Sequence, residues 1–246
     1  MRNIKLTIEY DGKNFAGWQT QPGKISIQGE ILKAIKDVTG EDVDLNASGR
    51  TDAGVHALGQ IANFKTNSNI DVLKIPYALN SKLPNSIVIK KAEEVEERFH
   101  SRYNCEGKTY RYIINNSEFP SALNRYREFH VPYKLNFEDM KEALRLFEGT
   151  HDFKGFKSSG GSPKKTTVRT LTKCEIKKED DRIIIELSGD GFLYNMVRII
   201  SGTIVDVGLG KIKLNEMSSI IESGDRQLAG RTLPPHGLYL VEVRYE

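Results

Sequence analysis

Residues 48–57 read Ser48-Gly49-Arg50-Thr51-Asp52-Ala53-Gly54-Val55-His56-Ala57, an Arg-x-Asp flanked by glycines. Strand-like segments border it, Val43–Ala47 before and Gln60–Phe64 after, so the stretch predicts a tight loop joining two strands. Gly49 and Gly54 permit sharp backbone geometry and the close approach of another molecule. Arg50 lies two residues from Asp52, and a guanidinium at that range holds a carboxylate ionised, competent as a nucleophile or base near neutral pH. A plainer reading fits the same residues: Asp52 as a helix cap, or as a surface ion pair with Arg50.

Outward from this loop, period-2 and period-3.6 patterns interleave. Ile4, Leu6, Ile8 and Tyr10 alternate with Lys5, Thr7 and Glu9, a half-buried strand turned by Asp11-Gly12. Ser26 caps a helix with Ile27, Ile31, Ala34, Ile35 and Val38 on one face and Gly40 as its stop. Asp71 caps a short helix towards Asn80, with Pro76 inside it. Ile87–Ile89 and Thr109–Ile114 are strand candidates, and Glu93–Glu97 between them reads as a solvated acidic stretch. Further on, Asn136 caps a helix carrying Phe137, Met140, Ala143, Leu144 and Phe147, ended by Gly149. Strands follow at Val168–Ile176 and Arg182–Leu187, then a helix faced by Met196, Ile199, Ile200, Thr203, Ile204 and Val207. In the last strand Tyr239, Val241, Val243 and Tyr245 form one row. Strands joined by short loops with a few helices predict an α+β fold with mainly antiparallel sheets. Two lobes, residues 1–105 with the Asp52 loop and 106–246 with a basic loop and the Arg198 helix, fit the order of motifs.

Composition narrows the class. The chain has 246 residues, 38% of them hydrophobic, and a mean hydropathy of −0.46, with no apolar run of bilayer length. Its N-terminus alternates too regularly for a signal or transit peptide. Cys105 and Cys174 lie far apart without a CxxC, which suits a reducing cytoplasm. Other signatures fail: Gly107-Lys108-Thr109 lacks the first P-loop glycine, Gly189-Asp190-Gly191 lacks the third glycine of a dinucleotide fingerprint, and there is no G-x-S-x-G. His56, His100, His130, His151 and His236 show no metal-ligand spacing.

The formal charge of +3 hides a local excess. Phe153–Cys174 carries Lys154, Lys157, Lys164, Lys165, Arg169 and Lys173 with no acid, around a Ser158–Ser162 linker. Arg98, Arg102, Tyr103, Lys108, Tyr110, Arg111 and Tyr112 form a second set, basic and aromatic. Such sets contact phosphates and stack on unpaired bases, although a solvated loop beside core tyrosines has the same composition. Arg198 flanks the apolar stripe of its helix, where it either meets an anion or reaches water.

Together these residues resemble the tRNA pseudouridine synthase A family. The resemblance runs through Tyr10-Asp11-Gly12, Phe15-Ala16-Gly17-Trp18-Gln19, Ser48–His56, Lys108-Thr109-Tyr110-Arg111-Tyr112, Gly191–Arg198 and Pro234-Pro235-His236-Gly237-Leu238. It implies two α/β lobes around a central basic cleft, the pseudouridine synthase fold. It also implies isomerisation of uridine to pseudouridine at positions 38, 39 and 40 of the tRNA anticodon stem-loop. A cytoplasmic homodimer, no membrane association, no metal and no organic cofactor follow from the same resemblance. Asp52 matches the catalytic aspartate, Tyr110 the tyrosine that contacts the target base, Arg198 an arginine beside the aspartate, and Arg50 a residue assisting base flipping. Lys154, Lys157, Lys164, Lys165 and Arg169 are then expected to bind RNA. A non-catalytic RNA-binding protein and an N-glycosidic hydrolase are the competing classes.

Overall fold

The N-terminal alternation becomes strand β1 (Arg2–Tyr10), in which Ile4, Leu6 and Ile8 are fully buried. The structure, a computed structural model, describes residues 1–160 and 166–245. Next comes α1 (Ile27–Thr39), capped by the Ser26 side chain on the Gly29 N–H and closed by left-handed Gly40. Its buried stripe is Ile27, Ile31, Ala34 and Ile35. Burial contributes roughly 1.5–3 kcal/mol for each large aliphatic, so packing rather than propensity holds this helix. The predicted strand at Val43–Ala47 shrinks to β2 (Asn46–Ala47), whereas β3 (His56–Thr66) exceeds the Gln60–Phe64 expectation. A 3-10 turn then leads into α2 (Ile75–Asn80), where Pro76 lies in the first turn and starts the helix rather than breaking it.

Strand β4 (Ile87–Val95) takes in Glu93 and Glu94, and the acidic stretch remains solvated: Glu94, Glu96 and Glu97 are exposed and Glu93 half-buried. Glu93 and Glu94 lie opposite Lys5 and Ile4 of β1. Lys5 reaches Glu93 at 3.1 Å and Arg2 reaches Glu94 at 3.0 Å. As neighbours on one strand the two carboxylates point to opposite faces, each meeting a cation of β1.

Six strands and three helices of the second half follow in order: β5 (Gly107–Asn115), β6 (Phe129–His130), α3 (Phe137–Arg145), β7 (Gly149–Asp152), β8 (Val168–Glu179), β9 (Arg182–Gly189), α4 (Met196–Gly208), α5 (Met217–Ser223) and β10 (Leu238–Arg244). Packing divides the chain into one unit of Met1–Glu106 with Tyr239–Glu246, and another of Gly107–Leu238. The last strand, which sequence alone keeps with residues 106–246, thus groups with the first unit. Its backbone pairs parallel with β3, Tyr239 opposite His56 and Leu240 opposite Ala57. In the first unit β1 lies antiparallel between β4 and β3, and β2 pairs with the far edge of β3. In the second, β5, β9, β8 and β7 follow one another antiparallel, and β6 joins β5 in parallel. Both units mix helices with mainly antiparallel strands, the α+β class expected. No helix among the described residues is long and apolar enough to cross a membrane.

Three local expectations shift. α3 stops at Arg145, and Phe147 packs edge-on to Phe156 at 5.0 Å from beyond the helix. β10 buries Leu238 and Leu240 ahead of Val243, so the row containing Tyr239 and Val241 is not the deeply buried one. α5 was not foreseen: only Met217, Ile220 and Ile221 mark its inner face.

Cys174 on β8 is buried, and desolvation, helped by the Glu148 carboxylate, pushes its thiol up to about 12. Since a solvated thiol ionises near 9.0, the unfolded chain loses this proton first, and stability declines as pH rises between those values. At pH 8 we expect iodoacetamide to leave Cys174 unlabelled in the native protein and to label it in guanidinium. Equal rates in both states would contradict the packing of β8.

Candidate active site

Two strands set the ends of the Asp52 loop, β2 finishing at Ala47 and β3 starting at His56. Its entry is pinned by the Ser48 N–H donating to the Ile61 carbonyl at 2.8 Å. The Ser48 hydroxyl donates to Gln60 Oε1 at 2.7 Å, and Gln60 Nε2 donates to the Gly49 carbonyl at 2.9 Å. Further along, the Val55 N–H donates to the Asp52 carbonyl at 3.1 Å, closing a β-turn whose third residue, Gly54, has φ 78°. Type II turns need that sign of φ, hence a glycine there. No helix follows Asp52, so the helix-cap reading of this residue does not hold.

A second layer comes from Tyr10–Trp18. Thr51, buried beside Asp52, shares a 2.7 Å hydrogen bond with the Tyr10 hydroxyl. Its carbonyl accepts the Trp18 N–H at 3.0 Å. Burial raises the Tyr10 pKa above its ordinary value, so this phenol stays neutral. At the far end, the Gly12 N–H donates to His56 Nδ1 at 3.1 Å, and the imidazole stacks on Tyr239 with 4.8 Å between centroids. Two glycines make the approach feasible. A Cβ on Gly12 would stand 1.9 Å from the Val55 carbonyl oxygen, and one on Gly17 2.7 Å from that of Thr51. Thr51 is therefore held from both side chain and backbone, while Asp52 is half-buried and Arg50 exposed. The sequence showed the Tyr10–Trp18 motif without its role; two glycines near the chain's single Trp were the available signal.

Tyr110, Arg198 and the described basic candidates belong to the second unit. On β5, Tyr110 pairs with Leu187, Tyr112 with Ile185 and Ile114 with Ile183, so Tyr110 extends a buried row to its half-exposed end. Its ring meets Phe192 edge-on at 5.0 Å. Tyr112 is fully buried, and its hydroxyl donates to the Pro234 carbonyl at 2.7 Å.

Arg198 stands in the first turn of α4 and is half-buried, not extended into water. Its Nε donates to the Leu233 carbonyl at 2.7 Å and its Nη1 to Asn195 Oδ1 at 2.6 Å. The segment before β10, legible in sequence only as a rigid turn, thus supplies acceptors for both Arg198 and Tyr112.

The basic set is less uniform than its composition. Lys154 is exposed on a 3-10 turn anchored by buried Phe153 and Phe156, and Lys157 follows half-buried. Arg169 turns back on its own chain, donating to the Thr166 carbonyl at 3.1 Å and to that of Val168. Lys164 and Lys165 lie outside the described residues. Two charges of the wider clusters are engaged by carboxylates: Arg111 and Lys173 converge on Glu186, at 2.9 and 3.1 Å, and Lys173 also meets Glu175 at 3.1 Å. Burial works to raise the Glu186 pKa, but hydrogen bonds from Arg111 and Lys173 outweigh it and leave the carboxyl below its ordinary value. Among the described residues no three His, Cys, Asp or Glu side chains are placed to hold a metal ion.

Comparison with known proteins places these motifs. Residues 6–104 and 143–246 match the family described as tRNA pseudouridine synthase. The tRNA pseudouridine synthase A of Acetivibrio thermocellus is 57% identical over 245 residues, with 100% of both chains covered. Equally complete matches join this chain to proteins of the same description from Caldicellulosiruptor saccharolyticus, at 54% identity, and Thermoanaerobacter sp. strain X514, at 52%.

Proposed function

The chain belongs to the tRNA pseudouridine synthase family, and from that membership we propose that it isomerises uridine to pseudouridine in tRNA, at positions 38, 39 and 40 of the anticodon stem-loop. The observation that carries the chemical assignment is the doubly braced loop that holds Thr51 and leaves the Asp52 carboxylate half-buried beside it.

The reaction breaks the bond from C1′ to N1 of uracil, turns the base, and joins C1′ to C5. N1 gains a proton and C5 loses one, so nothing is oxidised and no energy source is needed. One ionised carboxylate serves, either by attacking the nucleoside or by removing a sugar proton that lets the glycosidic bond break. A target within stacked RNA must first be flipped out, which costs a few kcal/mol. In this reading Asp52 is the catalytic residue, Arg198 supports its charge, Tyr110 contacts the base and Arg50 assists flipping. Tyr110 already rests on Phe192, which suits a ring that receives another flat surface. The protein acts as a cytoplasmic homodimer with no metal or organic cofactor.

One incubation with an unmodified tRNA transcript separates the alternatives by product. Pseudouridine supports the assignment. Free uracil would identify a glycosidic hydrolase, and unchanged tRNA with retained binding would identify a non-catalytic RNA-binding protein.

Lys154, Lys157, Lys164, Lys165 and Arg169 are the proposed RNA contacts. Because Lys154 is exposed and Lys157 partly so, Lys154→Glu with Lys157→Glu should weaken tRNA binding and flatten its salt dependence by about one unit of slope per lost phosphate contact. Turnover at saturating tRNA should stay near that of the wild type. Unchanged affinity across a salt series would remove these two residues from the interface.

A further inference from the structure

Asn195 occupies the N-cap position of α4 without capping it. Asparagine is favoured there because its side chain satisfies an orphan N–H of the first turn. In this helix the residue makes no such bond, and its backbone is left-handed, φ 61° and ψ 8°. It is one of two non-glycine residues with positive φ among those described. The side chain is engaged on both ends instead. A guanidinium only donates, so the amide carbonyl faces Arg198 Nη1 at 2.6 Å. The amide NH2 is thereby left to donate to Ser158 Oγ at 3.0 Å. Ser158 is further tied to the same corner by its N–H, which donates to the Tyr194 carbonyl at 3.2 Å.

From this arrangement we infer that Asn195 is a positioning residue for the isomerisation, setting the guanidinium of Arg198 and linking it to the Lys157–Gly160 segment. The inference rests on the proposed role of Arg198 as partner of the catalytic carboxylate. Its chemistry explains the residue type. Asn195 Oδ1 and the Leu233 carbonyl are neutral acceptors, so these two bonds orient the guanidinium without cancelling its charge. An aspartate at 195 would keep the geometry and cancel that charge; a glycine would keep the backbone and lose both bonds.

Tritium release from tRNA labelled at uridine C5, with thermal melting alongside, provides the test. Asn195→Gly suits the left-handed backbone, so its melting temperature should match or exceed that of the wild type. Its kcat should nevertheless fall about 10–100-fold, with KM for tRNA within about twofold, as expected for a misplaced reacting group. Asn195→Asp should lose kcat comparably. Ser158→Ala should lose less, and Asn195→Gly with Ser158→Ala should be no slower than Asn195→Gly alone, since one chain of contacts is broken. Wild-type kcat in Asn195→Gly, or a rise in KM with kcat unchanged, would overturn the inference. Arg198→Ala distinguishes the two levels. If it retains full activity, the underlying role of Arg198 falls as well; if it is inactive while Asn195→Gly is normal, only the positioning role falls.

Discussion

Asp52→Ala should yield a folded protein that binds tRNA and turns over essentially none of it. The loop has supports that do not involve the carboxylate. Among them are the Thr51 hydroxyl and carbonyl, the Asp52 carbonyl and the Ser48–Gln60 bonds, all of which survive the substitution. Removing the one group assigned to attack or deprotonate the nucleoside costs on the order of 10⁴-fold or more in kcat, by analogy with other enzymes stripped of a reacting group. Asp52→Asn should fare no better, because the amide matches the shape but has neither the charge nor the basicity. Tritium release measures the chemistry and filter binding the affinity. A near-normal rate in Asp52→Ala would end the assignment of this residue.

Gly12→Ala should be the most damaging substitution that leaves every functional group in place. The added carbon would lie 1.9 Å from the Val55 carbonyl oxygen and 2.6 Å from its carbon, both backbone atoms that no rotamer change can move. Either the β1 turn or the Asp52 loop must shift by about an ångström. Overpacking of this kind costs roughly 1–3 kcal/mol of stability, and a displacement of that size at a reacting group costs about 10²-fold in rate. Gly210→Ala is the useful control. Gly210 has open space around it and φ 71°, so alanine there is strained locally within the other packing unit, and kcat should stay normal. Melting curves and tritium release on both variants check the contrast; a fully active Gly12→Ala would mean that the loop tolerates displacement.

Much of the local structure was legible because its causes are local. Ser26 and Gly40 bracket α1 through hydrogen bonds within a few residues of each end, so cap and stop residues sufficed to find it. β1 showed itself because alternation is a property of nine consecutive residues. Errors arose where a distant partner decided the outcome. Glu93 and Glu94 read correctly as solvated, but that they belong to a strand is decided by β1, which supplies Lys5 and Arg2 as their partners. The burial phase of β10 depends on its parallel neighbour β3, which composition does not announce. α5 is seven residues long, too short for periodicity to speak.

The candidate site divides in the same way. Arg50, Asp52 and Gly54 are near in sequence, so their association in one loop follows from residue type and spacing alone. The sequence by itself thus determined the α+β class and the family, and singled out Asp52 as the carboxylate proposed for the chemistry. Only the tertiary structure decided how that loop is held, by Tyr10 and Gly12 from some forty residues away. It also decided which cations are engaged by Glu186 and what the Asn195 amide does instead of capping its helix. The physical reason is common to all three. A hydrogen bond or an ion pair depends on which atoms come within about 3 Å, and that distance is set by packing between segments, not by the order of residues along either one.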